Sequence, residues 1–322
     1  MKYLCNQQKR ISMEYREIGK TGMVVSNLSF GASSLGGVFH SLKEADGIRA
    51  VHTAVESGIN FIDVSPYYGH YKAETLLGKA LTDIDRKAYY LSTKVGRYGK
   101  DGVNTWDYSA RKAVESVSES MDRLHVDFID LINVHDIEFS DLDVVCKETL
   151  PALVELRDKG IVGHVGITNL TLRHFKYVID HVPDGTVESI LSFCHYCLND
   201  DALTDYLDYF ESKNIGVINA SPFSMGLLTE RGAPEWHPAP LPLSDVCKRA
   251  AQHCQSKGKS IEQLAVKYAT NNPRIATTLF STTRSEAVLQ NIRWSEEPFD
   301  EELYNEVQTI LASRFRDTWL NS

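Results

Sequence analysis

No apolar run in this sequence approaches the roughly 20 residues that cross a bilayer as a helix, and the opening MKYLCNQQKRIS lacks the apolar stretch of a secretory signal. A soluble, cytoplasmic protein with no membrane partner is therefore expected. Basic charge is also short: 34 Lys and Arg stand against 43 Asp and Glu, a formal net charge of -9 with no Lys/Arg block, so a phosphate backbone would be repelled and nucleic acid is not an expected partner. Cysteine is sparse, six in 322 residues, which fits reduced thiols rather than a disulfide framework. No G-x-G-x-x-G follows a strand-like run, which disfavours a Rossmann domain, and Gly258-Lys259-Ser260 lacks the P-loop glycine because His253 stands in its place. Cys194 and Cys197 form a CxxC with neither a second pair nor a helix start, and His135 with Glu138 has no further ligand pair, so no metal is expected.

What is present is a rhythm. Eight short apolar, β-branched runs alternate with stretches of helical period. They are LSFG ending at Gly31, INFIDV at 59–64, AYYLSTK ending at Lys94, FIDLINVH ending at His135, VGHVGIT at 162–168, ILSF at 190–193, IGVINA at 215–220 and ATTLF ending at Phe280. Helical candidates between them include KEADGIRAVHTAVESG, SARKAVESVSESMDRL, DVVCKETLPALVELRDKG and SIEQLAVKYATNN, several closing on the glycine that commonly stops a helix. Eight βα units predict a (β/α)8 TIM barrel. Ahead of it, EYREIG and MVVSNLS flank KTG and read as a β-hairpin plugging the barrel floor. Behind it, TRSEAVLQNIRW and DEELYNEVQTILASRF read as two extra C-terminal helices. Residues 1–13 read as a frayed extension and 14–322 as one barrel domain. The Pro-rich stretch from Arg231 to Ser244, with Trp236 and His237, has no periodicity; it is either a long ordered loop beside a site or a plain surface connection.

Reactive groups in such a barrel gather where the strands end. Asp63 with Tyr68, Lys94 and His135 stand at the ends of strands two, three and four. Singly, each has a plain structural use: a turn cap, a packed ring, a snorkelling stem, a satisfied core histidine. Four at successive strand ends suggest chemistry. A tyrosine titrating near 10 is a poor acid or base at neutral pH unless neighbours bring it down, and a buried ammonium kept charged by an aspartate would do so. Histidine would then orient a carbonyl oxygen, with the hydride left to a cofactor.

FIDVSPYYG, LSTK and the histidine of LINVHD resemble the Asp, Tyr, Lys and His tetrad of the aldo-keto reductases, in order, and the similarity spans residues 14–313. The resemblance implies Asp63, Tyr68, Lys94 and His135 as catalytic residues and a nicotinamide cofactor in the barrel mouth. For that cofactor it implies Gly31, Ala32 and Ser33 after the first strand, and Thr168 and Asn169 against the carboxamide. Phe193 stands where many members carry glutamine, and Ala220 where they stack a tyrosine. Ser221, Phe223, Gly226 and Leu228 of SPFSMGLLTE would follow the pyrophosphate, and Ser281, Thr282, Thr283, Ala287, Gln290 and Asn291 the adenosine end. Members that prefer the 2'-phosphate present cations at the positions held here by Ser281 and Ala287, so the resemblance points to NAD over NADP, with Arg284 as the one basic neighbour. Longer blocks such as GASSLG, TKVGRY, HDIEF, FCHYCLND and APEWHPA resemble a plant branch of the family, NAD-linked enzymes that oxidise L-galactose to its lactone on the route to ascorbate. Bacterial relatives acting on L-fucose and similar aldoses share the pattern.

Tyr67, Tyr98, Asp136, His195 and Trp236, with Trp106 and Glu138, are the candidate sugar contacts, on the ground that aromatic floors and carboxylate acceptors suit hydroxyls. The expected function is NAD-dependent oxidation of an aldose at C1, by a monomer or weak homodimer. Two alternatives stay open: an NADP-dependent aldehyde or pyridoxal reductase, and a redox-sensing regulatory subunit of the same fold.

Overall fold

The computed structural model describes residues 13–37, 43–100 and 103–319, so the expected N-terminal extension lies outside the described residues apart from Met13. Strands β1 (Tyr15–Glu17) and β2 (Val24–Ser26) form an antiparallel hairpin. The barrel strands are β3 (Leu28–Gly31), β4 (Phe61–Asp63) and β5 (Tyr90–Val95), then, after a second hairpin of β6 (Arg97–Lys100) and β7 (Val103–Trp106), β8 (Ile129–Val134), β9 (Val162–Asn169), β10 (Ser189–Phe193), β11 (Gly216–Ala220) and β12 (Thr277–Phe280). Eight of them close in the order β10-β11-β12-β3-β4-β5-β8-β9, every pair parallel. All eight expected strands are present, shifted by a residue or two at their ends.

The strands are apolar and buried almost throughout because a parallel sheet in a barrel is covered on both faces. Inside, Ile18, Met23 and Val25 of the first hairpin pack with Phe61, Leu131, Leu191 and Ile218, so the hairpin does plug the floor. Outside, the helices present one apolar stripe each. In Ala110–Leu124 the buried residues are Ala113, Ser116, Val117, Ser120 and Leu124, spaced three and four apart, and Ser109 caps the helix by accepting from the Lys112 amide. Leu124 is fully buried, and truncating it to alanine would cost roughly 2–5 kcal/mol through the cavity left behind. The helices Ser285–Glu296 and Glu301–Leu311 follow the last strand as expected.

Two features depart from the sequence reading. The helical candidate around Pro151 contains a π turn at Val145–Thr149, which fits a proline that cannot donate back into the helix. The β6 and β7 hairpin, unforeseen, rises from the end of β5 and leans on the loop after β4. A Cβ at Gly99 would lie 1.9 Å from the His70 ring, so glycine there lets the hairpin close on that loop, and His70 Nε2 meets Asn104 Oδ1 at 3.1 Å.

Candidate active site

Parallel strands all end at the same rim, and that brings the four expected residues together. Asp63 is the last residue of β4, Lys94 lies one residue before the end of β5, and His135 directly follows β8. Tyr68 stands on the turn after β4, its amide bonded to the Ser65 carbonyl at 3.1 Å, and its ring meets His135 edge-on at 5.6 Å between centroids. Gly69 makes that turn possible: its φ is +62°, and a Cβ there would lie 2.1 Å from the Gly36 carbonyl oxygen, so the loops after β3 and β4 touch backbone to backbone beside Tyr68.

Lys94 is 1% exposed. It pairs with Asp63 Oδ1, donates to the Val64 carbonyl at 2.7 Å, and lies against Tyr68, its nitrogen 4.9 Å from the ring centroid. Asp63 Oδ2 accepts from Ser92 Oγ at 2.8 Å, which itself accepts from Asn133 Nδ2 at 3.0 Å. Burial pushes the Lys94 ammonium toward losing its proton, but Asp63 and Tyr68 outweigh it and hold the lysine above its ordinary value. Tyr68 behaves differently from the expectation. It is partly open to the mouth, yet burial is the largest influence, so its phenol stays above the ordinary value despite Lys94; Asp63 and Asp136 push the same way. The resting side chain is a neutral phenol.

His135 is held well below its ordinary value by burial, with Lys94 and Arg97 adding to it, and is neutral. Its Nδ1 lies 2.9 Å from Ser65 Oγ, which already accepts from the Tyr67 amide at 3.1 Å. That leaves the Ser65 proton free to go to Nδ1. The Asp136 carboxylate lies 3.6 Å from Nε2, so both neighbours put the imidazole proton on Nε2, facing the mouth.

Around this centre the expected sugar contacts divide. Tyr67 is at the rim, its ring 5.8 Å from that of His135, and Asp136 lies beside it. Trp106 is 45% exposed and stacks on Phe139 at 5.8 Å. Tyr98 is on β6 rather than in a loop, 2% exposed, with its hydroxyl accepting from the Gly96 amide at 2.9 Å and burial pushing its phenol up to about 12. His195 is buried with Nδ1 on Asp200 at 2.9 Å and Nε2 unpartnered. Glu138 is turned to Thr171, and Trp236 is half-exposed next to His237, whose Nε2 meets the Ser224 carbonyl at 3.0 Å.

The residues expected to hold a cofactor line one arc of the same rim. Phe193 and Ala220 pair across β10 and β11, and Gly31 pairs with Asp63. Thr168 and Asn169 end β9; Thr168 Oγ1 accepts from the Asp136 amide and donates to its carboxylate at 3.1 Å, and Asn169 Oδ1 accepts from the Glu138 amide. Ser221, Ser224, Met225 and Gly226 all have positive φ, which aims consecutive groups of this loop out of regular structure. Leu228 is buried beneath it and Phe223 half-buried. Ser281 Oγ is bonded to Ser34 at its amide and its hydroxyl, 2.9 and 2.8 Å, close to Ala32 and Ser33; Thr282 and Thr283 follow, and Ala287, Gln290 and Asn291 lie on the next helix. Ser224 Oγ and Asn291 Oδ1 are buried without a hydrogen-bond partner, which fits an arc built for a polar ligand. Among the described residues no three His, Cys, Asp or Glu side chains come together to hold a metal, and no helix is long and apolar enough to cross a membrane.

The aldo/keto reductase family model matches residues 27–312. The chain belongs to the aldo/keto reductase family. It is 45% identical to L-galactose dehydrogenase of Arabidopsis thaliana over 95% of this chain and 97% of that one, and 32% identical to D-arabinose 1-dehydrogenase of Saccharomyces cerevisiae over 67% and 66%. In three dimensions it is similar to an aldo-keto reductase of Bacillus halodurans solved in its holo form, with a TM-score of 0.79, 26% identity, and 93% and 96% of the two chains covered. This aldo/keto reductase is thus an oxidoreductase on a (β/α)8 barrel, as its sequence implied. Four residues of its centre escaped the sequence reading. Ser92 and Asn133 each lie two positions before a tetrad residue and so face the same side of the strand, a signal that was available. Ser65 and Arg97 had none, since a turn and an unforeseen hairpin deliver them.

Proposed function

We propose that this aldo/keto reductase is an NAD-dependent aldose dehydrogenase that oxidises L-galactose, or a related sugar such as L-fucose, at C1 to the lactone. The observation that carries it is Lys94, buried and shared between Asp63 and Tyr68: a fixed positive charge there serves mainly to stabilise a phenolate. The names of its Arabidopsis and yeast relatives support the sugar class.

In this reading His135 Nε2–H donates to the reacting oxygen, and the Tyr68 oxygen takes the hydroxyl proton as the bond to carbon shortens toward a carbonyl. Tyr68 first gives its own proton to solvent, Lys94 then holds the charge on the phenolate until it takes the substrate proton, Asp63 keeps Lys94 protonated, and Ser92 and Asn133 hold Asp63. A nicotinamide, when bound, supplies the hydride acceptor and a positive charge near the phenol. Gly31, Thr168, Asn169, Phe193 and Ala220 would line the ring; the 221–228 loop would hold the pyrophosphate; the 281–291 segment would hold the adenosine. The choice of NAD rests on Ser281, already bonded to Ser34, and on Ala287, which has no donor for a 2'-phosphate.

The test is NADH or NADPH appearance with purified protein and L-galactose, L-fucose, D-arabinose or pyridoxal. NAD-linked oxidation of L-galactose or L-fucose is expected; silence on every sugar would overturn the assignment. A second reading, carbonyl reduction, is favoured by the neutral phenol of Tyr68, which already carries the proton that a developing alkoxide would take. It predicts turnover of pyridoxal and small aldehydes in the reverse direction, with NADPH preferred.

A further inference from the structure

Arg97, on β6, places its guanidinium between two rings, 3.9 Å from the Tyr67 centroid and 4.3 Å from that of Phe139, and pairs with Asp136 Oδ2. Both side chains are about nine-tenths buried, at 11% and 8% exposure. A buried ion pair is weak evidence for stability, since desolving two charges consumes most of what their attraction returns. Asp136 also holds a left-handed backbone, φ +44°, which a non-glycine residue adopts at a cost. The pair sits at the reacting centre. Asp136 Oδ2 is 3.6 Å from His135 Nε2.

Asp136 has hydrogen-bonding capacity to spare, and Arg97, enclosed between the two rings, holds it in place. The Asp136 carboxylate takes Thr168 on one oxygen and Arg97 on the other, out of about four lone-pair positions. A fixed acceptor therefore stands beside the histidine that binds the reacting oxygen, at a distance that suits oxygens on adjacent carbons. Trp106, stacked on Phe139 at the exposed edge, continues the wall.

We propose that Asp136, held by Arg97, reads the hydroxyl on the carbon next to the reacting one by accepting its hydrogen bond. The site thereby selects 2-hydroxy carbonyl compounds and the cyclic aldoses they form over simple aldehydes. This rests on the reading of Asp63, Tyr68, Lys94 and His135 as the reacting centre, in whichever direction it runs, and it adds the residues that choose the substrate.

The experiment is a ratio: kcat/KM for reduction of glyceraldehyde over that of propanal, with whichever reduced nicotinamide the enzyme accepts, in the natural protein, in Asp136→Asn and in Arg97→Gln. A hydroxyl held by a charged acceptor is expected to favour glyceraldehyde by roughly tenfold to a hundredfold in the natural enzyme. Each variant should narrow the ratio by about tenfold, mostly through the glyceraldehyde term. Losses common to both substrates cancel, and if one variant fails to fold the other still reads the pair. An unchanged ratio in the folded variants, or no preference in the natural enzyme, overturns the inference. Because the aldehyde pair is separate from the sugar panel, silence on aldoses with a ratio that collapses would sink the dehydrogenase reading and leave this one standing.

Discussion

Replacing Lys94 with methionine separates what the lysine does for the fold from what it does for chemistry. The side chain is 1% exposed and its partner Asp63 only 3%, so Lys94→Met leaves a buried carboxylate with Ser92 as its main support. Removing one member of a buried pair typically costs about 3–5 kcal/mol, and for a chain of this size each kcal/mol moves the midpoint by roughly 2–4 °C, so a fall of roughly 6–20 °C is expected. Asp63→Asn with Lys94→Met replaces both charges and should recover about 2 kcal/mol or more of that loss. Turnover should not follow: without the ammonium the Tyr68 phenolate loses its stabilising charge, and kcat falls about 10²- to 10⁴-fold in the single and the double variant alike. Thermal and urea denaturation of the natural protein, Lys94→Met, Asp63→Asn and the double variant give the stability cycle, and steady-state oxidation of the substrate identified in the panel gives the rates. The reasoning fails if Lys94→Met is as stable as the natural protein, or if activity returns together with stability in the double variant.

The neutral His135 makes a second prediction. Its folded value lies well below 6.5 while the unfolded chain keeps the ordinary one, so below about pH 6.5 the unfolded state binds more protons and stability falls as pH falls, by up to about 1.4 kcal/mol per unit, down to the folded value. Denaturation between pH 7.5 and 5 should show that slope, and His135→Gln should be flatter; parallel curves would contradict the assignment. Ser65→Ala should lower kcat about tenfold or more by freeing the tautomer of His135, with Ser65→Thr restoring most of it and the cofactor Kd unmoved; equal losses in both would point to packing instead. Gly69→Ala forces a left-handed residue with a methyl against the Gly36 carbonyl, and since misplacement by about 1 Å can cost about 100-fold, kcat should drop that far while far-UV circular dichroism stays unchanged. An active Gly69→Ala protein would show that the loop has room to move.

The eight strands were legible because covered parallel strands must be apolar runs, and the tetrad because residues at the ends of such strands share one rim. Asp63, Lys94 and His135 follow directly from the strand ends, and Tyr68 from the turn after β4. The β6 and β7 hairpin was not legible: RYGK and VNTW carry no alternating pattern, and the hairpin is seated by contact with His70 from the loop after β4. With the hairpin hidden, Arg97 was hidden too, and Asp136 looked like a free loop carboxylate instead of half of a buried pair. Tyr98 failed for the same reason, since an aromatic near the site points toward or away from it only once the strand has a register. The state of Tyr68 is the clearest division. Sequence brings an ammonium to the phenol, but whether the phenol titrates below or above its ordinary value depends on how much wall surrounds it, and that balance between burial and a neighbouring charge is set only when the barrel closes.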